Sequence, residues 1–327
     1  MKTALIGCGN IAHTHLDVLT AQRREISALC DCEISRAEAL QTQFHLSGAK
    51  LYSDYRQMLS ETDADVVHIC TPHDLHAPMI LAALKAGKHV LCEKPVCLTE
   101  SDYMRIQSVL QENPSLQFGV CFQNRYLEPV QELKKRLVNE KIKGANALVL
   151  WHRDLPYYHQ DHWHGTIAHE GGGVMINQAI HTLDLMLWCL GTPKTVTATT
   201  ANHHLKGQIE VEDTAEVYFE YGDGVHAQFY ATTAAANDFP IRLMITTDQH
   251  TYEVCNGLWI DGMRTAYNEK LSICGKTCYG NGHYYLIEDF YRCLSEHRKF
   301  PVSLEEAFAA VKAILRIYAS HGEEIKY

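Results

Sequence analysis

The chain of 327 residues lacks several features that mark whole classes of protein. It contains no uninterrupted apolar run of about 18 residues, the length that a membrane-spanning helix needs, so we expect no membrane partner. It has no basic cluster, and Asp plus Glu outnumber Lys plus Arg by 39 to 29, which gives a net charge of −10. We therefore exclude nucleic acid and anionic membrane surfaces as expected partners.

A disulfide framework and a secretion signal are also missing. The sequence has 12 cysteines in no regular spacing, and half of them fall inside apolar segments: Cys30, Cys70, Cys92, Cys121, Cys189 and Cys293. The first seven residues enter a strand directly, without the apolar segment of a signal peptide. We expect buried free thiols and a cytoplasmic location. The close pair Cys274 and Cys278 lacks the further ligands of a zinc or redox site, so no metal site is predicted.

The most informative stretch is 69–95. An apolar strand ends at Thr71, a helix follows, and a second short strand delivers Glu93 and Lys94. Both strand ends fall at the carboxyl edge of a parallel sheet, where such sheets bind ligands. A lysine at this edge is placed for chemistry, although most lysines are ordinary surface cations.

A dinucleotide-binding pattern opens the chain. The sequence Gly7-x-Gly9-x-x-Ala12 follows an apolar strand and begins a helix, whose N-terminus favours a pyrophosphate. Asp31 stands 22 residues after Gly9, at the end of the next strand, where a carboxylate can accept the ribose hydroxyls of adenosine. We predict NAD as the cofactor, with Arg36 as the residue that would allow NADP. The alternative is an Asp31 that only caps a helix.

Strands and helices alternate up to residue 122, which predicts a Rossmann domain with a doubly wound parallel sheet. Beyond it we predict an amphipathic helix over 125–138, a helix over 174–190 and then period-two strands. The fold class is therefore α/β, with a C-terminal α+β domain built on an open, predominantly antiparallel sheet. The expected domains are 1–122 for NAD(P) binding and 123–327 for substrate binding and oligomerisation.

A polar trio lies on the predicted helix 174–190. Asn177, His181 and Asp184 are offset by four and three residues, which places them on one helical face. An imidazole with a pKa of about 6.5 suits proton transfer at neutral pH. Asp184 would orient His181, and Asn177 would hold a substrate hydroxyl. The alternative is a histidine that is only a satisfied packing residue.

The loop between residues 151 and 170 is rich in rings and poor in fixed charge, with Arg153 as its one arginine or lysine. That composition favours a neutral polyol over a phosphate or carboxylate ligand. The glycines at 171–173 would let the loop hinge over a cleft. Tyr158, Trp163 and His164 are the expected substrate contacts. Two alternatives remain open: aromatic packing against the sheet, and a metal site at the loop histidines.

Together these segments resemble the Gfo/Idh/MocA family, the relatives of glucose–fructose oxidoreductase and inositol dehydrogenase. The likeness covers nearly the whole chain, and its specific parts are the Glu-Lys-Pro segment and the helix after the triple glycine. The matching residues are Gly7, Gly9, Ala12, Thr71, Pro72, His76, the segment 86–95, Gly171, Gly172, Gly173, His181 and Asp184.

The resemblance implies an active site between the two domains and an open sheet face that commonly forms homodimers or homotetramers. It makes Lys94 catalytic or substrate-orienting, His181 the proton donor or acceptor, and the Lys94–Pro95 peptide bond cis. The glycine pattern and the resemblance together give the expected cofactor contacts: Gly7, Gly9, Asn10, Ile11, Ala12, Asp31, Arg36, Thr71, Pro72, His73, His76, Glu93, Lys94 and Gln123.

Three positions depart from the family pattern. Asn177 replaces a frequent Asp, His73 a frequent Asn, and His164 a frequent Arg. These departures bear on the substrate more than on the reaction type.

The expected function is an NAD(P)-dependent oxidoreductase that moves a hydride between nicotinamide and a secondary alcohol or ketone of a sugar, sugar derivative or cyclitol. One alternative is an NAD-assisted glycoside hydrolase or epimerase, which would turn over without net NADH. Another is a non-catalytic dinucleotide-binding protein, which the presence of Lys94 and His181 disfavours.

Overall fold

The computed structural model describes residues 1–266 and 280–327, so the closely spaced Cys274 and Cys278, where no metal site is expected, lie outside the described residues. In these residues the helices are α1 (Asn10–Ala21), α2 (Ile34–Gln43), α3 (Tyr55–Glu61), α4 (His76–Lys85), α5 (Glu100–Glu112), α6 (Glu128–Leu137), α7 (Leu155–Tyr158), α8 (Ile167–Glu170), α9 (Ile180–Leu190), α10 (Gly282–Ser295) and α11 (Leu304–Ser320). The strands are β1 (Lys2–Ile6), β2 (Glu25–Cys30), β3 (Lys50–Tyr52), β4 (Val66–Ile69), β5 (His89–Cys92), β6 (Phe118–Val120), β7 (Ile142–Leu150), β8 (Thr195–Ala201), β9 (Thr214–Glu220), β10 (His226–Thr232), β11 (Arg242–Thr247), β12 (Thr251–Val254), β13 (Leu258–Ile260), β14 (Met263–Ala266) and β15 (Ile325–Lys326). Among the described helices, none combines the length and apolarity needed to span a bilayer.

The first compact unit contains Met1–Gln123 and the described part of Leu271–Phe308. Its sheet has the order β3-β2-β1-β4-β5-β6, and every pairing is parallel. All four residues of β4 are buried, as expected for a central strand covered on both faces. The predicted doubly wound parallel sheet is confirmed.

The observed division differs from the predicted 1–122 and 123–327 because α10 belongs to the first unit. The hydroxyl of Tyr291 on α10 lies 2.5 Å from Thr3 Oγ1 at the start of β1. A Cβ placed on Gly119 of β6 would lie only 2.5 Å from the ring of Phe300, so the ring packs directly on the strand. A local sequence pattern cannot predict that the chain comes back to the first unit at α10, because the contacts join residues far apart in sequence.

The second unit contains the described part of Asn124–Lys270 together with Ala309–Tyr327. Its sheet has the order β14-β13-β12-β11-β7-β10-β9-β8-β15 and is antiparallel except for the β7–β10 pair. Buried and exposed residues alternate strictly along β11, and α9 packs against β7 and β11. One face is therefore covered, which confirms the predicted open, predominantly antiparallel sheet.

Two predicted helices are shorter than expected. The helix predicted over 174–190 begins only at Ile180, and 174–179 form turns in which the Ala179 N–H donates to the Val174 carbonyl at 2.7 Å. The helix predicted over 125–138 is a 3-10 turn, Gln123–Tyr126, followed by α6. Pro129 lies in the first turn of α6, where its missing N–H costs nothing.

Candidate active site

The glycine turn of the first unit is set by a close approach between two strands. Gly7 has φ +90°, and a Cβ there would lie 2.6 Å from the Cys70 carbonyl oxygen, so only glycine fits. Gly9 precedes α1, and a Cβ there would meet none of the described residues within 4 Å apart from its neighbours in the chain. The turn thus leaves open space in front of a helix N-terminus, as an anion-binding turn requires.

Asp31 is tied to this turn. Its Oδ2 accepts the Cys8 N–H at 2.7 Å, and its Oδ1 accepts the Glu33 N–H at 2.9 Å. A carboxylate has about four acceptor positions, so these two bonds leave capacity for a ligand hydroxyl. Arg36 is committed nearby, since its guanidinium forms a fork with Glu33 at 2.8 and 3.1 Å.

The Lys94 segment follows β5, and the Lys94–Pro95 peptide bond is cis, as predicted. Lys94 itself is half-buried. Glu93, predicted as a cofactor contact, instead turns into the unit, where its side chain is 7% exposed and lies 3.0 Å from His15 Nε2 and 3.2 Å from His283 Nε2. Its carboxylate is therefore occupied by protein groups.

His76, also predicted as a cofactor contact, is buried as well. Its Nδ1 lies 2.6 Å from the Pro95 carbonyl oxygen and its Nε2 lies 2.9 Å from the Thr71 carbonyl oxygen. Both ring nitrogens thus contact the backbone on either side of the strand-end edge. His73 and Gln123 are buried near the same strand ends, whereas Thr71 is half-buried.

His181 and Asp184 lie on α9 in the second unit, and both are buried. Asp184 accepts two parallel hydrogen bonds from Arg125, Nε at 2.8 Å and Nη2 at 2.7 Å. The sequence assigned Asp184 only to His181 and gave Arg125 no part in the trio. The 59-residue separation of this pair explains why local spacing missed it.

Asn177 does not share a helical face with His181, because α9 begins after it. Its Nδ2 donates to Glu170 Oε1 at 2.6 Å and lies 3.3 Å from Tyr157 Oη. Tyr157 Oη also accepts from Gln178 Nε2 at 3.1 Å. Glu170 is fully buried and was not predicted as a site residue; only its position just before the glycines could have signalled it.

The glycines before Asn177 are packed tightly and give no sign of a free hinge. Gly173 N–H donates to Glu212 Oε2 at 2.8 Å, and a Cβ there would overlap the Glu212 carbonyl oxygen. Tyr318 Oη donates to Glu212 Oε1 at 2.9 Å. These contacts fix the segment that leads into α9.

The aromatic loop divides into buried and accessible rings. Tyr158 is 2% exposed, so it has no free face for a substrate, and the predicted contact is corrected. The Trp163 and His164 rings are tilted by 31° with their centroids 3.8 Å apart, and the His164 centroid lies 4.8 Å from that of the half-buried Tyr157. The Arg153 guanidinium lies 5.1 Å from the Tyr157 ring and pairs with an exposed aspartate.

In the described residues, the side chains close enough to hold a metal together are His15, Glu93 and Cys121, and not the loop histidines. The ten described cysteines are free, and Cys189 is only partly buried where full burial was expected.

Comparison with known proteins identifies the family of the chain. Residues 1–121 match the family model described as an oxidoreductase family with an NAD-binding Rossmann fold, and residues 132–253 match the GFO/IDH/MocA C-terminal domain. The chain belongs to the Gfo/Idh/MocA oxidoreductase family. Its first unit is accordingly an NAD-binding Rossmann domain.

Members of this family with known activities are similar to the chain. Inositol 2-dehydrogenase of Salmonella typhimurium is 30% identical over 194 residues, which is 58% of this chain and 54% of the relative. D-glucoside 3-dehydrogenase of Escherichia coli is 30% identical over 201 residues, or 59% and 55%. The chain thus spans about half the length of these curated relatives.

Solved structures of the family match over the full length. The WlbA dehydrogenase of Chromobacterium violaceum, in complex with NADH and UDP-GlcNAcA, has a TM-score of 0.86 and 26% identity, covering 100% of this chain and 96% of that one. Levoglucosan dehydrogenase has a TM-score of 0.87, and at 19% identity it supports the fold alone.

Proposed function

We propose that the chain is an NAD-dependent oxidoreductase that transfers a hydride between nicotinamide and a secondary alcohol or ketone of a sugar, sugar derivative or cyclitol. The observation that carries this proposal is that an anion-binding turn after β1, tied to Asp31, and the half-buried Lys94 after β5 both follow parallel strands of one sheet, with β4 between the two. The named activities of the relatives, on inositol and a glucoside, support the substrate class.

The residues present fit a dinucleotide. Open space at Gly9 and the N-terminus of α1 suit the pyrophosphate, and the spare acceptor capacity of Asp31 suits ribose hydroxyls. When bound, NAD supplies the hydride acceptor. The cofactor contacts that keep their proposed role are Gly7, Asn10, Ile11, Ala12, Thr71 and Pro72. His73 and Gln123 are about as buried as Tyr158, so their side chains are not proposed as cofactor contacts, and Arg36 stays paired with Glu33.

In this proposal, His181 accepts the hydroxyl proton, because a neutral imidazole is a competent base near neutral pH. Lys94 stabilises the developing alkoxide by its positive charge. Arg125 and Asp184 position α9 through their buried ion pair rather than by contacting the reacting atoms.

Substrate contact is proposed for Asn177, Trp163 and His164, with Tyr157 in place of the buried Tyr158. The half-buried Tyr157 hydroxyl is aimed by two amide donors, and its ring is flanked by His164 and Arg153. Amide and hydroxyl groups so arranged suit the hydroxyls of a polyol.

We also propose a cytoplasmic protein that forms a homodimer or homotetramer. The free buried thiols support a reducing compartment. In the described part of the chain, the sheet face opposite α9 presents Leu148, Tyr218, Tyr230 and Met244, apolar and aromatic side chains of the kind found at interfaces. Light scattering on the purified protein tests the assembly.

The test of the function is a screen of sugars, inositols and sugar nucleotides with NAD, followed by NADH absorbance. The proposal expects stoichiometric NADH with at least one alcohol. A product that forms without net NADH would favour the hydrolase or epimerase. NAD binding without turnover of any compound would favour a non-catalytic dinucleotide-binding protein.

A further inference from the structure

A buried carboxylate anchors the peptide before Lys94. Glu93 Oε1 lies 3.0 Å from His15 Nε2 and 3.2 Å from His283 Nε2, and Glu93 Oε2 accepts the Lys94 N–H at 3.2 Å. All of these groups belong to the first unit. Because the carboxylate is almost closed from water, its charge depends on protein donors.

The donors to Glu93 are the end of a longer chain of polar contacts. His15 Nδ1 lies 2.8 Å from His68 Nδ1, and His68 Nε2 lies 3.1 Å from the Tyr291 hydroxyl. The Tyr291 hydroxyl lies 2.5 Å from Thr3 Oγ1. We use the term relay for this series of side-chain contacts, which runs from Thr3 through Tyr291, His68 and His15 to Glu93.

The number of protons available fixes which group donates in each hydrogen bond of the relay. A neutral imidazole has one N–H, so the two facing Nδ1 atoms need one donor and one acceptor. If His15 carries its proton on Nε2 and donates to Glu93, then His68 must donate from Nδ1, Tyr291 donates to His68 Nε2, and Thr3 donates to Tyr291. Every contact is then satisfied. The reverse direction sets a bare His15 Nε2 against an ionised carboxylate.

The electrostatics agree with this direction. Burial alone raises the pKa of Glu93, but the contacts with His15 and His283 outweigh it and hold the pKa well below its usual value. Burial lowers the pKa of His15. The pKa of His68 lies well below its usual value, because His68 is buried and because His15 lies beside it. The relay is thus neutral along its length and anionic at Glu93.

The other side of Lys94 is fixed by a different histidine. His76 Nδ1 contacts the Pro95 carbonyl at 2.6 Å, and its Nε2 contacts the Thr71 carbonyl at 2.9 Å. A neutral His76 has one N–H and can donate to only one of these carbonyls, and we place the proton on Nδ1, which makes the shorter contact. His76 then holds the carbonyl after Lys94, and Glu93 holds the Lys94 amide.

We propose that the relay is a positioning element for Lys94: it keeps Glu93 as an anion whose second oxygen fixes the Lys94 amide, while His76 fixes the following carbonyl. His15, His68 and Tyr291 are then positioning residues that act on the reaction through Glu93. This inference rests on the proposed role of Lys94, but only the measurement of kcat among its tests needs a substrate.

The first test measures the protons directly. Two-bond proton–nitrogen NMR spectra of ¹⁵N-histidine-labelled protein distinguish the two neutral tautomers from the cation, with signals assigned from His15→Gln and His68→Gln. The proposal expects His15 protonated on Nε2 and His68 on Nδ1 at neutral pH. The opposite tautomer of either ring, or a cationic ring, overturns it.

The second test measures Lys94 itself. Glu93→Gln keeps the shape of the side chain but puts an amide N–H₂ where one acceptor oxygen stood. The competitive labelling rate of the Lys94 amine should change by about tenfold, equivalent to one pKa unit. Asp289→Asn is the matched control, since Asp289 is a buried carboxylate of the same unit that pairs with Arg292 and Arg298.

If Glu93→Gln and Asp289→Asn both lower the melting temperature and leave Lys94 labelling unchanged, the relay is only structural and the proposal fails. With a turned-over substrate, Glu93→Gln should also lower kcat by about a hundredfold while KM for NAD stays near the wild-type value. If no substrate is found, the proposed function fails. The histidine tautomers and the Lys94 labelling rate still test whether the relay positions Lys94.

A bound metal is the competing outcome. Cys121 Sγ lies 3.9 Å from His15 Nε2, and together with Glu93 they could hold zinc, which would require His15 Nε2 without its proton. The proposal expects substoichiometric metal in protein purified without chelator. One zinc per chain, lost in Cys121→Ser, overturns it.

Discussion

The guanidinium of Arg125 donates two parallel hydrogen bonds to the carboxylate of Asp184, at 2.8 and 2.7 Å, and both side chains are buried. Arg125 also lies over the Trp188 ring at 5.2 Å. This pair ties the 3-10 turn before α6 to the helix that carries His181. A buried ion pair is weak evidence for net stability, because removing both charges from water costs much of what their attraction returns.

Breaking the pair on one side should be costly. Asp184→Asn leaves the Arg125 charge buried without its counter-ion and should lower the free energy of unfolding by about 3–5 kcal/mol. The double variant Arg125→Met, Asp184→Leu should recover most of that loss, because it removes both charges. Urea unfolding curves test this. An Asp184→Asn protein of wild-type stability but low kcat would instead support the predicted orienting role toward His181.

The cofactor preference follows from Asp31. A 2′-phosphate would meet its carboxylate, and like-charge juxtaposition costs several kcal/mol. Arg36 offers little relief, because its fork already binds Glu33. NADH should therefore bind more tightly than NADPH in fluorescence titrations, and Asp31→Ser should narrow the gap. Tighter binding of NADPH to the wild-type protein would contradict this assignment.

Stability should fall in acid below a pH of about 6.5, the ordinary histidine pKa. Burial lowers the folded-state pKa values of His15, His68 and His76, so the unfolded chain takes up protons first, and unfolding is favoured as the pH falls. Glu93 adds to the loss only at lower pH, as its own depressed pKa is approached. Melting temperatures between pH 8 and pH 5 check this, and His68→Phe should flatten the profile. A stability that rises toward pH 5 would be inconsistent with neutral buried rings.

The two neighbouring tyrosines of the loop should behave differently. Tyr157→Phe removes the hydroxyl that accepts from Gln178 and lies beside Asn177, so KM for the sugar should rise while NAD affinity is unchanged. Tyr158→Phe, as the control, should leave KM unchanged, because its ring is enclosed. The reverse pattern, with Tyr158→Phe alone raising KM, would rule out this division of the loop.

Local patterns predicted the fold well, since strand alternation and the glycine turn depend on neighbouring residues. The β4–α4–β5 stretch and the cis peptide at Lys94 came from recognisable motifs. Local patterns could not predict three other features: the Arg125–Asp184 pair, the packing of α10 on the first unit and the burial of Glu93. Each of them depends on a contact between residues 59 or more positions apart. Tyr158 was mistaken for a contact because composition identifies a ring-rich loop but not which ring faces inward.

The central claim is that Lys94 and His181 act on an alcohol whose hydride passes to NAD. Its most direct test is NADH formation from the best alcohol found by the screen, in wild-type protein, Lys94→Met and His181→Ala. Both variants should bind NADH normally and lose at least about a hundredfold in kcat, the usual scale for acid–base groups, with Lys94→Met the more severe. Near-normal NADH formation by either variant would remove that residue from the mechanism, and near-normal rates in both would contradict the account.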